Sequence, residues 1–201
     1  MKARLLPLIY KLGGGNNHVS GICPSRRNFI LNATDCTIEC HSRLPKSVHI
    51  TVYGSHHHLY IGRNVIFKSG SIWFEDNSNE IYIGDNTTIE NASLSAAEAG
   101  TKLTIGEDCM LSSNIRISTT DSHSIIDTVS GKRTNPAASI TIEPHVWIGY
   151  NVSINKGVTI GKGSVVAGNS IVTKSCPSES VVGGTPAKVL KEHTTWNRAR
   201  I

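Results

Sequence analysis

His123 stands in a polar, non-repeating stretch, in the phrase Thr120-Asp-Ser-His123. A neutral imidazole, with an ordinary pKa of about 6.5, can take the proton of a hydroxyl at neutral pH. That makes His123 the first candidate for a general base; the plain alternative is a surface loop histidine. Asp121 either orients that ring and meets a substrate, or caps the loop. His145 is the rival, but it lies inside a repeat, where a corner or face residue is expected. The trio His56-His57-His58 reads as an exposed turn. Five cysteines, Cys23, Cys36, Cys40, Cys109 and Cys176, form no Cys-x-x-Cys pair. They read as structural thiols of a reduced compartment. Cys36, Cys40 and His41 lack a second ligand pair at finger spacing, so no metal is expected. The run from Gly157 to Gly163 has three spacers where a phosphate loop has four, and lacks a hydroxyl residue directly after Lys162.

The elements that must carry these residues have a period of six. Ile142, Ile148, Ile154, Ile160, Val166 and Val172 recur without a slip. Neither a helix nor a simple strand repeats so; a chain that turns a corner every six residues does. Three such sides make one coil of a triangular parallel β-helix, with the aliphatic residue inside. The rhythm runs backward through Leu103 to Ile117, Ile81 to Ile89, and Leu59 through Ile61 and Phe67 to Trp73. Ile61, Ile83 and Ile105 are 22 apart, one 18-residue coil plus a four-residue corner extension. Val48–Val52 reads as an earlier coil. Residues 13–47 are irregular, with a turn or hinge at Gly13–Asn17. Residues 118–139 break the repeat, as an inserted loop with a task would. After Val172 the repeat ends, and residues 187–200 are expected to form a short helix closing the stack. The domain reading is therefore an irregular region with first coils over 1–47, a β-helix over 48–175 with its loop at 118–139, and a cap over 176–201.

Charged residues make up 17% of 201 and aromatics 5%, with 18 glycines, which suits short strands and tight corners better than long helices. The net charge of +5 is scattered, so a solvated surface plus an anionic small-molecule site explains it better than nucleic acid. The apolar run Leu5–Tyr10 is too short for a secretory core, and no stretch is long enough to cross a membrane. A cytoplasmic protein is expected, with residues 1–12 as a segment for weak attachment to the inner membrane face.

The words Thr120-Asp-Ser-His123, Ile142-Glu-Pro-His-Val-Trp-Ile-Gly149, Ile154-Asn-Lys-Gly-Val-Thr-Ile-Gly161, Ser164-Val-Val-Ala-Gly168, Ile171-Val-Thr-Lys174 and Gly183-Gly-Thr-Pro-Ala-Lys188 together carry a resemblance. Over residues 103–191 the chain resembles the left-handed β-helix acyltransferases with hexapeptide repeats, in particular the sugar O-acetyltransferases that act on galactosides, maltose and capsules. The resemblance implies an all-β, left-handed parallel β-helix that exempts itself from right-handed crossovers. It implies acetyl transfer from acetyl-CoA to a carbohydrate hydroxyl, with His123 as base and no metal. Trp147, too bulky for an inside corner and one residue before Ile148, should point outward to a sugar or a neighbouring subunit. Acetyl-CoA contacts are implied at Tyr150, Ala167, Gly168 and Thr173, with Lys174, Lys188 and Lys191 meeting its phosphates. A homotrimer with intersubunit sites follows from the same resemblance, as does a leaning towards a surface polysaccharide or its precursor. The zinc-binding carbonic anhydrases of this fold need histidines five apart, which this chain lacks. An amino-sugar or antibiotic acetyltransferase and a non-catalytic β-helix scaffold are the other readings.

Overall fold

A computed structural model describes residues 15–22 and 28–201. Cys23, the attachment segment 1–12 and the glycines at 13 and 14 lie outside the described residues. The strands form three seven-stranded sheets, the three sides of a solenoid. The first holds β1 (His18–Gly21), β3 (Thr37–Cys40), β5 (His58–Ile61), β8 (Glu80–Ile83), β11 (Lys102–Ile105), β14 (Ile140–Ile142) and β17 (Thr159–Ile160). The second holds β2 (Phe29–Thr34), β4 (Val48–Ser55), β7 (Gly70–Phe74), β10 (Ala92–Ala96), β13 (Ile115–Ser118), β16 (Ser153–Ile154) and β19 (Ile171–Val172). The third holds β6 (Ile66–Phe67), β9 (Thr88–Ile89), β12 (Met110–Leu111), β15 (Trp147–Ile148), β18 (Val165–Val166), β20 (Val181–Gly184) and β21 (Ala187–Lys191).

Pairing is parallel throughout except between β20 and β21. The six-residue period becomes register: Ile142 pairs with Ile160, Ile148 with Val166 and Ile154 with Val172, all buried. Ile61, Ile83 and Ile105 also stack in one column. The column Val19, Ile38, Leu59, Ile81, Leu103, Ile140 runs through the first sheet, so coils already exist within residues 18–40. Irregular strand lengths and corners there hide the period from the sequence.

Two expectations need correction. Trp73 is outside the core; Ile72 and Phe74 are the inward residues of β7. The corner ahead of β7 is one residue out of phase with the six-residue count, and the period-two alternation of the strand does the rest. The closing helix over 187–200 is absent. Instead Gly184, at φ 105°, turns β20 back into β21, which pairs antiparallel to it. The last coil leaves one strand with an open row of backbone groups, and a hairpin partner satisfies them where a helix cannot. Residues 194–198 then run as a strap back along one corner of the solenoid. Thr194 N–H donates to Glu179 O, Thr195 Oγ1 to Gly163 O, Trp196 Nε1 to His145 O and Arg198 Nε to Asp108 Oδ1.

Candidate active site

The corner under that strap explains His145. Asn64, Asn86, Asp108 and His145 hold equivalent left-handed positions, with φ of 56°, 60°, 51° and 58°. Asn and Asp tolerate this conformation best, so the sequence carries them where the backbone turns. His145 stacks on Trp196 at 4.4 Å and 7°, and its Nδ1 and Nε2 meet Asp108 Oδ2 and Trp196 O at 2.7 and 3.1 Å. Both ring nitrogens are engaged, and the residue is a structural one. The histidine trio is not a uniformly exposed turn. His57 is buried against Phe74, its Nε2 bonded to Tyr53 O and its Nδ1 accepting Asn79 N–H, because the corner turns that side chain inward.

The inserted segment is an arm anchored at its base. Thr119 is fully buried; its hydroxyl donates to Ala97 O at 3.0 Å and lies 3.0 Å from Thr101 Oγ1, within the stacked corner extensions. Ala138 N–H closes the base on Thr119 O. Residues 125–134 double back on themselves through the Ile126–Arg133 bridge.

Three further groups hold the stretch bearing His123. Asn135 Nδ2 donates to His123 O and to Asp121 Oδ2, both at 2.9 Å, and its Oδ1 accepts Ile125 N–H at 2.6 Å. Lys156 Nζ reaches Asp121 Oδ2 at 2.5 Å and Asn135 O at 2.7 Å. This lysine, then Asn135, holds the Asp121 carboxyl below its usual range. Glu98, on the neighbouring corner extension, accepts both Arg133 guanidinium nitrogens at 2.5 and 2.7 Å, and the Thr120 hydroxyl. Arg133 first, and then Thr120, bring the Glu98 carboxyl down to about 2.

The His123 side chain is exposed, and no hydrogen-bond partner sits on its ring among the described residues. Asp121 therefore does not orient the imidazole; its carboxylate serves the arm. Asn135, Lys156, Glu98 and Arg133 were not singled out from sequence. The partners just named are 10 to 35 residues away, and no local pattern announces them.

The ring stands over a cleft of about 240 Å³ lined with Glu75, Ala97, Glu98 and Thr120. That cleft opens onto a larger groove of about 570 Å³ across the outer face of the second sheet. The other expected site residues lie elsewhere on the chain. Trp147 does face outward, 38% exposed, but on the third sheet, 6.2 Å from Trp196. Tyr150, 57% exposed, and Gly168 meet at the corner leading to the second sheet. A Cβ on Gly168 would stand 3.1 Å from Tyr150 O, so a bare Cα keeps that corner shallow. Lys174, Lys188 and Ala187 share a groove of about 270 Å³ beside the capping hairpin, while Ala167 packs under Gly183 and Lys191 lies at the far end of β21. Thr173 follows β19 on the second sheet side.

Among the described residues no cluster of three metal-ligating side chains occurs. The four described cysteines are buried, and burial pushes the Cys109 thiol up to about 11. None is a nucleophile in waiting. No helix among the described residues is long and apolar enough to cross a membrane.

A triangular solenoid built on a six-residue side, with a histidine-bearing arm pinned across one face, defines a hexapeptide-repeat transferase. The pattern described as "Bacterial transferase hexapeptide (six repeats)" matches residues 139–174. A polysialic acid O-acetyltransferase of Neisseria meningitidis is 33% identical over 177 residues, 77% of this chain and 82% of that protein. One of Escherichia coli O1:K1 / APEC is 48% identical over 96 residues, which span 48% of this chain but only 31% of that protein's length. A crystal structure of a polysialic acid O-acetyltransferase superposes with a TM-score of 0.72 at 28% identity, covering 96% of this chain and 87% of that one. A hexapeptide-repeat acetyltransferase from Vibrio cholerae O1, solved with acetyl-CoA, matches with a TM-score of 0.53 at 32% identity, over 67% of this chain and 71% of that one. The chain belongs to the hexapeptide-repeat acetyltransferase family, alongside the polysialic acid O-acetyltransferases, and is an acyltransferase. Its fold is their left-handed parallel β-helix.

Proposed function

We propose that this chain transfers an acetyl group from acetyl-CoA to a hydroxyl of an acidic surface polysaccharide or its precursor, with His123 as general base. The observation that carries the reading is an exposed imidazole with no partner on its ring among the described residues, held at a groove's rim by an arm whose base is pinned through Asn135, Lys156 and Glu98. His123 removes the acceptor hydroxyl's proton as that oxygen bonds to the thioester carbonyl carbon. The carbon–sulfur bond then breaks, and the imidazolium returns the proton to the leaving thiolate. A thiolate leaves readily, so no stronger acid is needed.

Acetyl-CoA is the donor that family members bind, and residues here suit it. The bare Gly168 corner admits a narrow chain, and Lys174 and Lys188 supply charge for phosphates. On one chain Trp147 lies on the third sheet and Gly168 at its corner with the second, whereas His123 sits at the corner between the second and the first, which supports a homotrimer whose sites are completed between copies. The arm supports it too. Its tip exposes Ile125, Ile126 and Val129, the last at 95%, apolar groups that a neighbouring copy would cover. A cytoplasmic location belongs to the same proposal, since acetyl-CoA is an intracellular donor.

The test is mass spectrometry of a glycan panel incubated with acetyl-CoA and either the wild type or His123→Ala. A gain of one acetyl, with turnover roughly 10²–10⁴-fold lower in the variant and acetyl-CoA binding retained, is expected. Unchanged turnover in His123→Ala removes the assignment of the base.

A further inference from the structure

We propose that the outer face of the second sheet, on the N-terminal side of the arm, is a binding track for a carboxylated sugar polymer, with Arg116 holding one carboxylate and Trp73 carrying a ring further along. The proposal rests on the function just given, and adds where the acceptor lies and what it must carry.

Arg116 projects from β13 between Ser93 and Ser153 in register. Arg63, Arg133 and Arg198 each have a carboxylate partner. Arg116 is exposed and, among the described residues, has no carboxylate within ion-pair distance and no hydrogen bond. The two carboxylates that share its groove are engaged: Asp121 by Lys156, and Glu75 by the Trp73 indole N–H at 3.3 Å. A guanidinium with five donors and no acceptor, standing in a groove, matches the planar two-oxygen face of a carboxylate.

The rest of the groove suits a sugar chain. Its floor is a line of hydroxyls, with Ser71 Oγ and Ser93 Oγ 3.2 Å apart, and it is polar without being strongly charged. Trp73 stands outward, its ring tilted against Tyr53 at 5.4 Å, so an aromatic surface borders the floor. Glu75 fixes the indole and leaves acceptor capacity for hydroxyls. Trp73 lies two strands and two residues from Arg116, a backbone separation of roughly 12 Å. At that backbone spacing, consecutive units of a polymer can meet the guanidinium and the indole in turn. The groove shares Glu75, Ala97, Thr120 and Ser122 with the His123 cleft, so a chain lying along it passes the base.

The experiment measures binding apart from turnover. The full-length protein is titrated with a soluble oligosialic acid, and with the same oligomer after methyl esterification of its carboxyls, following tryptophan fluorescence and calorimetry. The free acid is expected to bind at least about tenfold more tightly than the ester. Arg116→Gln should weaken the free acid by about ten- to hundredfold, erase that preference and leave acetyl-CoA binding unchanged. Trp73→Ala should weaken both oligomers alike and remove most of the fluorescence change. Equal binding of acid and ester, an Arg116→Gln variant that binds like the wild type, or weakened acetyl-CoA binding in that variant would each overturn the track. Acetyl transfer to the same oligomer is scored separately. Binding without transfer keeps the track and removes the enzymatic reading, while transfer without carboxylate dependence does the reverse.

Discussion

Glu98 is the residue by which the solenoid grips the arm, and Glu98→Gln tests what that grip contributes. Glutamine keeps the size and the left-handed backbone preference of the site (φ 65°) and removes only the charge. The carboxyl falls from an ordinary 4.5 to about 2, chiefly through Arg133 and then Thr120. A difference of about 2.5 units corresponds to a ceiling of roughly 3 kcal/mol for the charged form. The Glu98 side chain is 26% exposed and that of Arg133 31%, so water screens the pair. The screened pair contributes about 1 kcal/mol. That contribution holds His123 over the cleft, so losing it lowers the population of competent arm, and with it kcat, by roughly fivefold. The assay is steady-state kinetics in both substrates, with hydrogen exchange of residues 120–135 and a thermal scan. A fall in kcat at constant acetyl-CoA KM, faster exchange confined to the arm, and a small shift in Tm are expected. A kcat within about twofold of wild type, with unchanged exchange, would show that Glu98 does not hold the arm in place. The sign of the pH effect follows from the depressed carboxyl: the clasp is complete above about pH 4.5 and weakens as pH falls towards 2.

Other outcomes follow from single contacts. Trp196 is buried by the strap it belongs to, so Trp196→Ala should cost about 3 kcal/mol in urea denaturation; removing residues 192–201 should cost about the same, because the strap undocks as one piece. Burial pushes the His57 imidazole down, so the unfolded chain binds a proton that the folded chain refuses; stability should fall as pH drops below about 6.5, and denaturation at pH 7.5 and pH 5.5 measures it. Gly70 sits at φ 136°, and a Cβ there would meet Ala92 O at 1.9 Å, so Gly70→Ala should cost more than about 3 kcal/mol in the same denaturation assay. Gly100 has a φ of 78° with open space around it, and Gly100→Ala should cost only about 1–2 kcal/mol.

The solenoid was legible because its physics is local. An aliphatic residue on every side and a turning residue at every corner write a period that composition cannot counterfeit, and Ile142 through Val172 match the core residue by residue. First coils were expected within residues 1–47, but their strands and register were not legible, since those within residues 18–40 join the same columns with corners of unequal length. Trp73 misled because a six-residue count cannot register a one-residue phase change at a corner. The closing helix failed because the need of an open strand for a partner is a tertiary fact. His123 could be picked out by its broken-repeat setting. The Glu98–Arg133 clasp and the Asn135 amide that steady it could not, because the partners meet only after four coils and an arm have been folded together.

Ile61, Ile83 and Ile105 occupy one column because the two coils between them have the same contour length, 22 residues. Such a stack is a gauge with integer divisions. Inserting or deleting one whole coil between Ile61 and Ile83 leaves every side chain on its own face, whereas a shift of one residue turns the core outward. Each added division lengthens the second face by about 4.8 Å and leaves His123, the arm and the C-terminal coils where they are. The reach of the chain along a polymer is thereby separable from its chemistry, and can be changed in steps without rebuilding the catalytic end.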